Sequence, residues 1–199
     1  QDPTAVRKAF ENAKKHSEQI LIEKHVPGND YRLQVVNGEV HGILERVPGG
    51  VTGDGKSSIL ELMIEQNNIR KNAVDDRRYL HQISKDDEST AQLSIQGMKW
   101  ESIPDAGMFV RLRGAANVAS GGIPVPIPVE DAHPDNLAMA IRAVRILKLD
   151  IAGVDLLIPD IRESWLETGA YICEINAQPQ MFTTMHKPML QSLFPDGHS

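Results

Sequence analysis

The sequence contains little of what would indicate a secreted, membrane-bound or nucleic-acid-binding protein. One cysteine among 199 residues excludes a disulfide bond within the chain. No apolar run of about 18 residues and no signal-type leader is present, so we expect a cytoplasmic protein with no membrane partner. Positive charge is in deficit, since the chain has 21 lysines and arginines and 27 aspartates and glutamates. The net charge of −6 argues against a nucleic-acid partner, because such a partner is held by neutralising its phosphates.

What the sequence does contain is the composition of a folded domain. Of its residues, 41% are apolar and 24% are charged, both near the average for globular proteins. The length suffices for one substantial domain with its own core. The chain opens at Gln1 without a methionine and runs directly into a helical pattern. We therefore expect a fragment of a longer protein.

The spacing of apolar residues predicts a mixture of helices and strands. Helices are predicted over 4–17, from Ser58 onward, from Pro134 to about Lys148 and over 187–194. Strands are predicted at 20–22, 31–36, 39–47, 108–113, 123–129, 151–158 and 170–175. The polar stretch 67–89 is predicted to be an exposed excursion. Together these elements indicate an α+β unit with a largely antiparallel sheet and helices on one face.

An Asn-Gly pair at 37–38 is typical of a two-residue hairpin turn. Counting residue pairs across that turn places Arg32 opposite Ile43, and puts Asp30, Arg32 and Glu45 on one face of the sheet. A cluster of surface salt bridges is the simpler interpretation of these charges.

The segment 50–57 reads GVTGDGKS and matches the phosphate-loop pattern of nucleoside triphosphatases. The preceding strand, however, is the second arm of a hairpin, whereas a phosphate loop follows a central parallel strand. Thr-Gly-Asp-Gly is also good turn chemistry before a capped helix. The sequence favours a turn here.

Three polar residues interrupt apolar strand sequence near the end of the chain. Glu174 and Asn176 are two apart on a strand and so share a face, while Cys173 is predicted to be a small buried apolar residue on the opposite face. Asp155 lies in the neighbouring apolar segment. Two carboxylates and one amide oxygen form a hard ligand set suited to Mg²⁺. The alternative is that these residues line a solvated sheet face.

Two arginines, Arg111 and Arg113, share a face of another predicted strand, and a glycine pair follows at 121–122. This arrangement would suit an anion. Solvated arginines are the simpler interpretation.

A series of short motifs runs in order through nearly the whole chain, from about Phe10 to Pro195. The motifs are LIEK at 21–24, PGNDYR at 27–32, VTGDGK at 51–56, AN at 116–117, SGG at 120–122, HP at 133–134, AGVDL at 152–156 and CEINA at 173–177. In this order they resemble the ATP-grasp carboxylate–amine ligases, most closely the ATP-grasp portion of cyanophycin synthetases and of bifunctional glutathione synthetases. Residues 1–199 would then be the C-terminal portion of an ATP-grasp domain whose N-terminal ATP-binding subdomain is incomplete.

The resemblance implies an ATP-dependent ligase. A carboxylate would attack the γ-phosphate of ATP, and an amine would displace phosphate from the acyl-phosphate to form an amide. ATP and Mg²⁺ are the implied cofactors, small amino acids or peptides the implied substrates, and a homo-oligomer the implied assembly.

The resemblance also implies a role for individual residues. The implied adenine contacts are the side chain of Glu23 and the backbone of Lys24 and Val26, and Asp30 would hold the ribose. Phosphate or acyl-phosphate oxygens would be stabilised by Arg32, Arg113 and Asn117. The implied Mg²⁺ ligands are Asp155, Glu174 and Asn176.

The sequence departs from close relatives in two places. Where those relatives read LRRNAN, this chain reads LRGAAN at 112–117, and their NAxPG is NAQPQ at 176–180. The first change removes a positive charge and an amide. The alternative function is therefore a degenerate, non-catalytic module that binds nucleotide or serves as a scaffold.

Overall fold

The computed structural model describes residues 3–15, 17–24, 26–72, 80–116 and 118–179. The α-helices are α1 Pro3–Lys14, α2 Ile59–Lys71, α3 Asp87–Ile95, α4 Pro134–Ile146 and α5 Trp165–Thr168. Two short 3-10 turns cover Val118–Ser120 and Val129–Asp131. The strands are β1 Asn29–Val36, β2 Glu39–Val47, β3 Gly50–Thr52, β4 Phe109–Arg111, β5 Ile123–Ile127, β6 Ile151–Ile158 and β7 Tyr171–Asn176.

Five strands form one sheet in the order β5-β2-β1-β6-β7, and every neighbouring pair is antiparallel. The remaining strands, β3 and β4, form a separate antiparallel pair. The predicted α+β class with an antiparallel sheet is thus confirmed.

The hairpin between β1 and β2 turns at residues 37–38 as predicted, with Asn37 and Gly38 at positive φ angles of 49° and 81°. The predicted register is wrong by one residue, because a bulge shifts the pairing between Gln34 and Val35. Arg32 therefore pairs with Leu44 rather than with Ile43, and Asp30 pairs with Arg46. A slip of one residue exchanges the side chains on the two faces of the sheet. Arg46 therefore lies on the same face as Asp30 and Arg32, and Glu45 lies on the opposite face.

Helix α4 covers one face of the five-stranded sheet and forms the main core with it. The helix begins at a proline, which has no backbone N–H to lose in the first turn. Asn136 in that turn is completely buried, and its amide donates to the carbonyls of Ile161 and Glu163, both at 2.8 Å. The core includes Tyr31, Leu33, Val35, Ala140, Val144, Val154, Leu156 and Ile158.

A second core lies between the β3-β4 pair and helices α2 and α3. Helix α2 begins with the predicted capping box, in which Ser58 and Glu61 each accept from the other's backbone N–H. This core includes Val51, Ile59, Leu62, Met63, Leu93, Trp100, Val110 and Leu112. Because β3 pairs only antiparallel, the structure supports a turn rather than a phosphate loop at 50–57.

Two predictions of secondary structure are wrong. The segment 20–22 forms no strand, and Leu21 and Ile22 are each 80% exposed. The polar stretch 67–89 is not simply an excursion, because it contains the end of α2 and the start of α3, and Arg70 is buried with hydrogen bonds to the carbonyls of His81 and Gly121. The predicted helix over 187–194 lies outside the described residues. Among the helices that are described, none is long and apolar enough to cross a membrane.

Candidate functional site

An open cleft of about 1390 Å³ lies on the face of the five-stranded sheet that α4 leaves uncovered. One side, which we call the sheet wall, consists of side chains from β1, β2, β6 and β7 on that face. The facing side, which we call the second wall, consists of β4 and the segment 112–116 that follows it. The second wall contributes Phe109, Arg111, Gly114, Ala115 and Ala116 to the lining.

The register of three adjacent strands brings charged residues together on the sheet wall. Arg32 of β1 pairs with Asp155 of β6, and Asp155 pairs with Glu174 of β7. Directly paired residues in antiparallel strands project to the same face with their Cβ atoms about 5 Å apart. The strand ladder therefore places a guanidinium and two carboxylates in one row.

Asp155 is the centre of an ionic network although it is buried in an apolar strand. Arg32 donates to both of its oxygens, from Nε at 2.7 Å and from Nη2 at 2.8 Å. Arg46 Nη2 lies 2.9 Å from Asp155 Oδ2 and 2.7 Å from Asp30 Oδ1. The hydrogen bond to Asp155 raises the pKa of Arg32. Two guanidiniums thus compensate the desolvation of one buried carboxylate.

A glycine lies in the sheet beside this network. Gly153 pairs with Asn176, and a Cβ atom at Gly153 would lie 2.9 Å from Pro179 Cβ and 3.7 Å from Arg32 Cδ. Glycine therefore allows Pro179, in the chain after β7, to pass close to the backbone of β6.

The segment that precedes β1 also lines the cleft, with Glu23, Lys24 and Val26. Lys24 Nζ lies 5.8 Å from the centroid of the Tyr171 ring, at cation–π distance. A cation and an aromatic ring of β7 thus lie close together in the lining of the cleft.

The second wall is held in place by α3. Arg113 is buried, and its Nη1 donates to both carboxylate oxygens of Asp86 at 2.8–2.9 Å and to Glu88 Oε2 at 2.9 Å. The other oxygen of Glu88 accepts from the backbone N–H of Gly114 at 2.9 Å. The loop that faces the sheet is therefore tied to the first turn of a helix.

The prediction that Cys173 is buried on the opposite face is wrong. A second bulge shifts the pairing of β6 and β7 between Asp155 and Leu156. As a result Cys173 is exposed and lines the cleft beside Glu174. Partial burial raises the pKa of its thiol.

Most of the predicted site residues lie in this one cleft, although they come from distant parts of the sequence. The cleft is lined by Glu23, Lys24, Val26, Asp30, Asp155 and Glu174. Arg32, Arg113 and Asn176 are not among its lining residues, and the two arginines are engaged by carboxylates. Asn117 lies outside the described residues, next to the lining residue Ala116.

Sequence reasoning missed Arg46 as a residue of the site. The alternation along β2 would have found it if the bulge in the hairpin had been recognised. It also left open whether Arg111, which lines the second wall, faces a ligand or bulk solvent.

The donors that could hold a divalent cation are few. Within the described parts of the chain, no group of three histidine, cysteine, aspartate or glutamate side chains is close enough to hold a metal. Asp155 and Glu174 supply two carboxylates in one row, and Asn176 adds an amide oxygen on the same face. Such an oxygen set is the type that Mg²⁺ binds, since Mg²⁺ needs only one or two protein carboxylates beside water and phosphate oxygens. A cation there would share the two Asp155 oxygens with Arg32 and Arg46.

Comparisons with known proteins identify longer relatives. No family model matches the chain. The cyanophycin synthetase of Geminocystis herdmanii is 35% identical over 191 residues, which cover 90% of this chain and 22% of that protein. The glutathione biosynthesis bifunctional protein GshAB of Listeria monocytogenes is 34% identical over 175 residues, 88% of this chain and 22% of that protein. The chain thus spans about a fifth of the length of these relatives.

A solved structure shows the same fold. The crystal structure of a bifunctional glutathione synthetase from Pasteurella multocida matches with a TM-score of 0.69 and 27% identity. The match covers 98% of this chain and 28% of that one. The five-stranded antiparallel sheet with its helices is therefore part of an ATP-grasp fold, and the chain is a relative of the ATP-grasp ligases.

Proposed function

We propose that this chain forms the nucleotide and metal cleft of an ATP-dependent ligase that joins a carboxylate to an amine of an amino acid or peptide. The observation that carries the proposal is the convergence of Glu23, Lys24, Asp30, Asp155 and Glu174 in one cleft. These residues are up to about 150 positions apart, and they meet only because the sheet has the order and register described above. Their convergence supports a shared ligand.

The proposed nucleotide contacts come from the segment before β1 and from the start of β1. Glu23 would accept from the adenine amino group, the backbone of Lys24 and Val26 would contact the ring, and Asp30 would hold the ribose. Asp30 is held in place for that task, because Arg46 donates to it from Nε at 2.9 Å and from Nη2 at 2.7 Å.

The proposed metal ligands are Asp155, Glu174 and Asn176. Mg²⁺ bound there would neutralise charge on the phosphate groups of the nucleotide. The chain contributes the orientation of the ligands: Arg32 and Arg46 hold the Asp155 carboxylate in a fixed plane, and the strand pairing fixes Glu174 beside it.

Two of the residues implied as phosphate contacts already form ion pairs with carboxylates of the protein. The guanidiniums of Arg32 and Arg113 each lie 2.7–2.9 Å from carboxylate oxygens. To bind a phosphate, either guanidinium would have to break this ion pair or bind both anions at once. We therefore propose that Arg32 acts mainly by orienting Asp155. Arg113, with two acids on α3, would act by holding the second wall.

We also propose that residues 1–199 are one part of an ATP-grasp domain in a longer enzyme, since the curated relatives are about five times as long as the shared stretch. The relatives are named as synthetases, which favours a catalytic role over a degenerate module. A cytoplasmic location and a homo-oligomeric assembly remain parts of the proposal.

The test is the Glu174→Gln variant in the complete gene product that contains these residues. We expect Mg²⁺-dependent release of ADP and phosphate to fall by about 100-fold or more, because the metal loses a charged ligand. The melting temperature should stay nearly unchanged, since Glu174 is exposed.

The matched control is Glu167→Gln, which changes an exposed glutamate of α5 that does not line the cleft. It should leave both measurements unchanged. Release of AMP and pyrophosphate by the wild-type protein would contradict the proposed chemistry, and full activity of Glu174→Gln would contradict the metal assignment.

A further inference from the structure

The four arginines around the cleft differ in the groups that bind their guanidiniums. Arg32 and Arg46 bind Asp155, and Arg113 binds Asp86 and Glu88. Arg111 instead donates from Nε to the carbonyl of Arg113 at 2.7 Å and from Nη2 to the carbonyl of Gly114. In the part of the chain that the structure describes, no carboxylate lies within ion-pair distance of Arg111.

From this difference we infer that Arg111 binds an oxyanion of the ligand in the cleft, either a phosphate of the nucleotide or a carboxylate of the substrate, and that Gln96 positions it. The inference rests on the proposed function, because it needs that cleft to bind substrates. It assigns to Arg111 the anion contact that the family resemblance implied for Arg113.

The first argument is the charge that Arg111 keeps. A carbonyl oxygen accepts a hydrogen bond without cancelling the positive charge of a guanidinium. Arginine has five N–H donors in one plane, and the two carbonyls use two of them. The guanidinium is thus oriented by neutral partners and keeps donors and charge for an anion.

The second argument is where Arg111 lies in the cleft. The sheet wall and the segment before β1 mix carboxylates (Glu23, Asp30, Asp155 and Glu174) with the cations Lys24 and Arg46. The second wall contributes Arg111 and no carboxylate to the lining. An anionic ligand is repelled by the carboxylates unless a cation intervenes. It is attracted to the wall on which Arg111 lies.

The third argument is that the backbone of Arg111 is clamped. The side-chain amide of Gln96, at the end of α3, donates to the Arg111 carbonyl at 2.7 Å and accepts from its N–H at 3.1 Å. Gln96 therefore pairs with the end of β4 as a neighbouring strand would. A contact that is ordered before binding loses less entropy when the ligand arrives, and this favours affinity.

The experiment measures the affinities of ADP with Mg²⁺ and of adenosine for the complete gene product by titration calorimetry, and the KM for the acid substrate. If the oxyanion is a phosphate, Arg111→Gln should weaken ADP binding by about tenfold and leave adenosine binding unchanged. If the oxyanion is a carboxylate, Arg111→Gln should leave both nucleotide affinities unchanged and raise the KM for the acid substrate by about tenfold. Arg111→Lys should lose less in either case, because it keeps the charge.

A matched control is Arg162→Gln, which removes an exposed arginine outside the cleft, paired only at 3.4 Å with Asp160. It should change none of these quantities. Gln96→Ala should produce part of the Arg111→Gln effect. The double variant should lose no more than Arg111→Gln alone, because a positioning residue acts only through the residue it positions.

Several results would overturn the inference. These are unchanged affinities and KM in Arg111→Gln, an equal loss for adenosine and ADP, or an equal loss in Arg162→Gln. If the wild-type protein bound neither adenosine nor ADP, the proposed function would fail and the inference with it. Normal nucleotide binding together with an unchanged KM for the acid in Arg111→Gln would refute the inference alone.

Discussion

The two walls of the cleft hold their charged groups by different means. On the sheet wall, Arg32, Asp155 and Glu174 meet because three eight- or six-residue strands pair in one register. On the second wall, β4 has only three residues, and the segment 112–116 that follows it is held by side chains at the start of α3. The first geometry is carried by backbone hydrogen bonds and the second by side chains. We therefore expect mutations to affect stability at the sheet wall and local order at the second wall.

The largest effect should come from Asp155→Ala at the sheet wall. The change leaves Arg32 without its partner and Arg46 with Asp30 alone, in a largely buried place, and should cost about 3 kcal/mol of unfolding free energy. Urea denaturation measures this. The exposed pair of Asp160 with Arg162 provides the control, since Asp160→Ala should cost less than about 1 kcal/mol. Similar losses in both variants would show that the network contributes no more than a surface pair.

At the second wall, Arg113→Met should cost only about 1 kcal/mol, because Asp86 and Glu88 are 42% and 49% exposed and water can replace the arginine. Arg113 Nε is also buried without a partner in the described chain, and methionine removes that unsatisfied group. Local order should suffer more than stability. Hydrogen exchange at the Gly114 amide should accelerate relative to the amide of Val35 in the sheet. Unchanged exchange at Gly114 would contradict the view that side chains hold this wall.

The smallest effect concerns the turn that leads from β3 into α2. The backbone N–H groups of Ser57 and Lys56 donate to Asp54 at 2.7 and 2.8 Å, and these bonds lower its pKa from 3.8 to about 2. A lowered pKa in the folded state means that the contribution to stability is present above pH 3.8 and is lost as the pH falls towards 2. The melting-temperature difference between wild type and Asp54→Asn should therefore shrink over that range. A constant difference would show that the carboxylate charge is not what stabilises the turn.

The elements that local patterns describe well were predictable. The hairpin turn, the capping box of α2 and the proline that begins α4 each rest on a few adjacent residues, and the structure contains all three. Helix α3 was missed because only Ser89 and Leu93 are buried along it, too few to produce a helical apolar pattern.

The candidate site was predictable in its members more than in its geometry. Most of the residues named from the family resemblance line one cleft, but the partners of Arg32 and Arg113 could not be read from the sequence. Two bulges, one in the β1–β2 pairing and one in the β6–β7 pairing, change which side chains face the cleft. A bulge adds one residue to a strand without a distinctive residue type, so Arg46 and Cys173 were assigned to the wrong face or overlooked.

The bulge beside Glu174 has a practical consequence for anyone who studies this protein. It turns the sole thiol of these 199 residues towards the cleft, so a fluorophore or spin label attached to Cys173 would report from inside the site without any engineered cysteine. Because the pKa of this thiol is raised, the labelling reaction calls for mildly alkaline buffer, where more of the reactive thiolate is present.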